Sequence, residues 1–206
     1  MQSIRIFFEK RGRAKYISHL DLMRAMTRAV RRAALPLWYT EGFNPHPYLA
    51  FPLPLPLGQE GLREAMDLRL IADMPFDEIK ARLNDVLPEG LRVIAVQEPW
   101  GKPGEIKAAQ YHIAIDCDIA QAKALLQQGQ LTATKMGKQG RRKIEKEIQL
   151  APLIVDYQFD QNVLDCVLAA GSEVNLNPAL LIGALGANSS NITRIRLLRG
   201  DGTNWE

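Results

Sequence analysis

Cysteine is scarce in this sequence, and the scarcity excludes several chemistries at once. Cys117 and Cys166 are the two cysteines among 206 residues. A disulfide framework needs more of them in a shorter chain. A structural zinc site needs closely spaced pairs, and no Cys-x3-Cys-x2-Cys run is present to hold an iron–sulfur cluster. Two packed thiols in a reducing compartment are the plain reading. Glycine-rich phosphate loops of the P-loop or dinucleotide type are absent, as is the Gly-x-Ser-x-Gly elbow of hydrolases. No metal and no nucleotide cofactor are therefore expected.

Long apolar runs are missing too. No stretch reaches the roughly 18 apolar residues of a membrane-spanning helix. The run at residues 49–57 holds Pro52, Pro54 and Pro56, which make it a rigid extended segment. Charge enters at Arg5, too early for a secretory signal. A soluble, cytoplasmic protein is expected, with no membrane partner. The net charge is only +3, while 47% hydrophobic and 24% charged residues are ordinary for a folded domain. The distribution of that charge is more informative than its total.

Apolar alternation predicts a strand at residues 4–8 and a short second strand at 14–17. Ser18 is placed to cap a helix, with Asp21 three residues on, and Pro36 stops that helix near residue 34. After a long loop at 38–58 come a strand at 65–71, a helix opened by Pro75, and a strand at 91–97. Residues 99–108, rich in proline and glycine, read as a linker. The second half predicts a strand at 111–116, a helix at 119–128, strands at 131–136 and 142–150, a strand pair at 153–159 and 163–169, a helix from Asn177, and a last strand at 191–199. The order approximates β-α-β-β-α-β twice. The expected fold is α+β, with two tandem ferredoxin-like halves and antiparallel sheets: residues 1–98, a linker at 99–108, and residues 109–206.

Three segments can carry chemistry. On the first helix, advancing about 100° per residue from Leu20 gathers Arg24, Arg28, Arg31 and Arg32 into about a third of the circumference. Leu22, Met23, Ala25, Met26, Ala29, Val30 and Ala33 form the expected buried arc. Arginine grips phosphate through a planar fork, so the exposed arc suits RNA; a merely solvated face is the bland alternative. The second segment is Tyr39-Thr40-Glu41-Gly42-Phe43-Asn44-Pro45-His46-Pro47. Its prolines stiffen it, Phe43, Tyr39 and Tyr48 offer stacking faces, and Asn44 and His46 offer directional hydrogen bonds, a mix that suits an unpaired nucleotide. A stiff connection with His46 bonded to backbone is the alternative. The third is a glycine-punctuated basic hairpin with Lys135, Lys138, Arg141, Arg142, Lys143 and Lys146, able to meet a phosphate backbone. His19, at the start of the first helix, sits where the helix dipole disfavours its charged form. His112 lies in a strand with no partner visible from sequence.

The segments Phe8-Glu9-Lys10-Arg11-Gly12, Tyr16-Ile17-Ser18-His19-Leu20-Asp21-Leu22-Met23-Arg24-Ala25, Leu35-Pro36-Leu37 and Glu41-Gly42-Phe43-Asn44-Pro45-His46-Pro47 closely resemble the radical-SAM-linked protein family, the DUF2344 domain of unknown function. The resemblance is strongest over about the first hundred residues. It implies an accessory chain working beside a radical S-adenosylmethionine enzyme, because the cluster cysteines of such an enzyme are missing. The architecture is also similar to that of CRISPR-repeat endoribonucleases. The expected function is an accessory RNA-binding or substrate-presenting protein in RNA modification or processing, with no activity of its own. The alternatives are a metal-independent endoribonuclease using His19 or His46, and a protein adaptor docking through residues 45–56.

Overall fold

The computed structural model describes residues 1–139 and 142–206, with side chains described outside 135–144. The first half runs β1 (Gln2–Lys10), α1 (His19–Arg32), β2 (Leu49–Ala50), β3 (Glu60–Leu70), α2 (Phe76–Asn84) and β4 (Leu91–Gln97). The second runs β5 (Ala108–Asp116), α3 (Ile119–Gln127), β6 (Thr132–Gln139), β7 (Arg142–Gln149), β8 (Ile154–Asp160), β9 (Val163–Ala169), α4 (Pro178–Ala184) and β10 (Asn188–Leu198). The fold is mixed α+β, with a mostly antiparallel sheet and four α-helices among the described residues.

The halves share one sheet instead of keeping the separate sheets expected from sequence. Its order is β4-β1-β3-β10-β5-β9-β8, with β2 paired to β3. The join is a short parallel contact in which Thr193 opposes Glu60 and Arg194 opposes Gly61. Within the sheet the first half contributes β4-β1-β3-β2 and the second β10-β5-β9-β8, the same relative order in each. Position within the sheet explains β1, whose residues from Ile4 through Phe8 are all buried. Ile4, Ile6 and Phe8 pack with the inner faces of α1 and α2, whereas Phe7 belongs to the core cluster of the second half. Alternation along the strand feeds two cores at once.

Three local differences from the sequence reading have physical causes. Residues 14–17 are not a strand: Gly12 takes a φ of 57° and Gly12–Tyr16 forms a 3-10 turn that buries Ala14. A left-handed glycine reverses the chain before a ladder can form. β3 starts at Glu60 because its first residues meet β10, a partner distant in sequence. The basic hairpin is built from β6 and β7, which among the described residues pair with each other and stay outside the main sheet.

The linker segment is tied down. Arg5, although 1% exposed, donates from Nε to Asp67 Oδ1 at 2.7 Å, from Nη1 to the Trp100 carbonyl at 2.6 Å, and from Nη2 to the Gly101 carbonyl at 3.2 Å. Its guanidinium lies 4.0 Å from the ring centre of Trp205, whose indole N–H donates to the Lys102 carbonyl at 3.0 Å. A buried cation is tolerated here because every side of it is satisfied.

Candidate functional site

α1 forms as the sequence implies. Ser18 Oγ accepts the Asp21 N–H at 3.1 Å and donates to the Asp21 carboxylate at 2.7 Å, closing the first turn. Leu22, Met26, Ala29 and Val30 are buried. Arg24, Arg28, Arg31 and Arg32 are all exposed. Arg24 pairs with Asp21 at 3.0 Å, while Arg28, Arg31 and Arg32 have no acidic partner among the described residues. The Asp21 carboxyl is held below its ordinary range by the Ser18 hydroxyl and then by Arg24. Met23, expected on the buried arc, is exposed, because it stands at the edge of that arc beyond the reach of the core.

The chain brings the Asn-Pro-His-Pro loop up to this face. Arg31 lies 5.9 Å from the ring centre of Tyr39, and Tyr39 forms a β-bridge with Pro47. Between them residues 40–46 close on themselves. The Thr40 N–H donates to the His46 carbonyl at 2.9 Å, and the His46 N–H donates to Thr40 Oγ1 at 3.3 Å. His46 Nδ1 lies 3.0 Å from the Asn44 carbonyl and 3.2 Å from Thr40 Oγ1, so the ring is held by the loop's own polar atoms. Gly42 at φ 121° makes the tip, and Phe43 beside it is fully exposed. Tyr48 is not a free stacking face: Arg69 lies 4.7 Å from its ring centre and 5.5 Å from that of Trp38.

His19 takes no part in this loop. It meets the edge of Phe51 at 5.1 Å between ring centres, and its buried Nδ1 has no hydrogen-bond partner. Its pKa is lowered, first by burial and then by the positive charge of Lys10. The basic hairpin places Lys135 opposite Lys146 and Lys138 opposite Lys143 in backbone register. Arg141 and the side chains of Lys135, Lys138, Arg142 and Lys143 lie outside the described residues.

Two polar groupings have no obvious sequence signal. At the join of the halves, Arg194 donates from Nε to Glu64 Oε1 at 2.9 Å, to the other carboxylate oxygen from Nη2, and from Nη2 to the Leu53 carbonyl at 2.8 Å. Lys10 is buried beside this pair, and its ammonium meets only the Lys15 and Ile17 carbonyls, at 3.4 and 3.3 Å. Burial lowers the Lys10 pKa, Glu64 opposes that shift, and Arg194 adds to it. The second grouping is His112 with Asp165, 2.7 Å apart on neighbouring strands. Both cysteines are poor nucleophiles: burial and nearby carboxylates raise the Cys117 thiol, and the same causes push Cys166 up to about 12. Among the described residues no group of three potential metal ligands occurs, and no helix is long and apolar enough to cross a membrane.

No curated protein matches this chain in sequence. Among solved structures, a chain of the crystal structure of a Cbf5-Nop10-Gar1 complex superposes on 94% of this chain with a TM-score of 0.48 and 7% sequence identity; the match spans about half of that chain, 48%. The family comparison is decisive. The model of the family described as "Uncharacterized protein conserved in bacteria (DUF2344)" matches residues 3–178, so this chain belongs to the DUF2344 family.

Proposed function

We propose that this chain is an accessory RNA-binding protein, working in the cytoplasm beside a radical S-adenosylmethionine enzyme and presenting RNA to it without catalysing a step itself. One observation carries the RNA reading. Arg28, Arg31 and Arg32 stand exposed and without acids among the described residues, next to a stiff loop that presents Phe43 and an exposed His46. Uncompensated guanidiniums on one helix face suit successive phosphates, and an aromatic tip suits an unstacked base. The β6–β7 hairpin, with its lysines and arginines, is a second basic element in this reading. The partner enzyme is drawn from the family resemblance, and the two cysteines of this chain give it no cluster of its own. The common strand order of the halves supports two ferredoxin-like units, residues 1–98 and 109–206, about the segment 99–108.

The test is a salt series of RNA affinity. Arg28→Ala with Arg32→Ala is expected to weaken binding and lower the slope of log affinity against log salt by about one to two units. Both side chains are exposed, so stability stays within roughly 0.5 kcal/mol. An unchanged slope removes α1 from the binding surface.

A further inference from the structure

α1 carries a second exposed feature beside its arginines. Leu20 is 62% exposed and Met23 37% exposed, and with Thr27 they follow one another at the i, i+3, i+7 spacing of a single helical row. Arg24, Arg28 and Arg31 border that row, and together the six side chains line a groove of about 320 Å³. Tyr39, 43% exposed, stands beside Arg31, 5.9 Å from its guanidinium. A lone exposed leucine needs no explanation. Two exposed apolar side chains in one groove edged by three guanidiniums do, and phosphates gain nothing from Leu20 or Met23.

We propose that this groove docks one amphipathic helix of a protein partner, with an apolar ridge against Leu20, Met23 and Thr27 and acidic residues against Arg28 and Arg31. Charge complementarity selects this occupant. The one acid on the bordering face, Asp21, is already engaged by Ser18 and Arg24, so the remaining guanidiniums call for carboxylates from outside. A second copy of this chain does not fit, because a self-complementary contact would set this arginine border against itself. The length is suitable: Leu20 to Arg31 covers about 16 Å of helix axis, roughly three turns of a partner helix with i, i+3 or i+4, and i+7 anchors. The proposal does not rest on RNA binding. Arg28 and Arg31 serve either ligand, whereas Leu20 and Met23 serve the helix alone.

The experiment uses the full chain and fluorescence anisotropy with three labelled probes. One is a synthetic helical peptide of about four turns, with leucines at i, i+4 and i+7 and glutamates beside them. The second replaces each glutamate by lysine. The third is a short single-stranded oligouridine. The glutamate peptide is expected to bind in the micromolar range, and the lysine peptide at least about tenfold more weakly. Leu20→Ser with Met23→Ser is expected to abolish peptide binding while oligouridine binding and the melting temperature stay unchanged. Equal binding of both peptides, or binding of neither, overturns the proposal. Loss of oligouridine binding with peptide binding retained in the serine variant also overturns it and gives the row to RNA. Peptide binding in a chain that fails to bind oligouridine upholds the groove and rejects only the RNA reading.

Discussion

Replacing Glu64 by glutamine tests how the join between the halves is held. The glutamate serves two buried cations: its side chain is 5% exposed, that of Arg194 is 2% exposed, and Lys10 is 1% exposed. Glutamine keeps the shape and one accepting oxygen but removes the only carboxylate in the cluster. Arg194 and Lys10 are then left buried without a counter-charge. Breaking one buried ion pair costs about 3–5 kcal/mol, and here two cations lose the same partner, so Glu64→Gln belongs at the upper end of that range. Arg194→Met is milder, because Lys10 remains to balance Glu64. Adding Lys10→Met to Glu64→Gln removes one uncompensated charge and is expected to recover about 1–2 kcal/mol. Urea unfolding, followed by Trp fluorescence with the slope fixed across variants, gives the three numbers. Glu64→Gln costing less than Arg194→Met, or no recovery in the Lys10 double variant, would refute the shared-carboxylate account.

The other predictions concern the first half. The folded-state pKa of His19 lies below its ordinary 6.5, so the unfolded chain binds more protons below that pH and stability must fall as pH drops through the window beneath 6.5. His19→Gln is expected to flatten that fall in denaturant midpoints measured from neutral to mildly acidic pH; an unchanged pH dependence would show that His19 keeps an unshifted pKa. Asn44→Ala with His46→Ala is expected to remove RNA or partner binding with little change in melting temperature, whereas unfolding of the variant would make the loop structural. Incubation with RNA in the absence of metal is expected to give no cleavage above background. Cleavage lost in both His19→Ala and His46→Ala, with binding kept, would instead favour the endoribonuclease.

Features whose causes are local were readable from sequence. The Ser18 cap, the four-arginine face of α1 and the longer strands and helices depend on residues within a turn or a strand of one another, whereas the two-residue β2 fell inside the expected 38–58 loop. The misread residues 14–17 show the limit: apolar content was right for burial, but the φ of Gly12 decided the geometry. The single sheet escaped for a different reason. Its join depends on β3 meeting β10, more than a hundred residues later in the chain, and no periodicity within either strand encodes the partner. His112 and Asp165 escaped likewise, since their contact follows from the register of β5 against β9.

The harder lesson lies in the arginines. Sequence marks Arg5, Arg194, Arg28 and Arg32 as equivalent cations, and a default of exposure fits only the last two. What separates them is the carboxylate opposite. Asp67 stands across from Arg5 in the β1–β3 register, and Glu64 lies where β3 carries the chain past β10. Those two acids are engaged inside, and on the outer face of α1 Asp21 pairs with Arg24. The sheet buries charge by pairing it, while Arg28, Arg31 and Arg32 are left without an acid among the described residues. A ligand bringing negative charge to α1 meets guanidiniums that need not break an internal ion pair first. By the same reasoning, moving an acid onto that face, as in Thr27→Glu, is expected to weaken binding of RNA or of an acidic peptide several-fold while leaving stability within about 0.5 kcal/mol. Unchanged affinity in this variant for both ligands would mean that the open charge on α1 has no role in recognition.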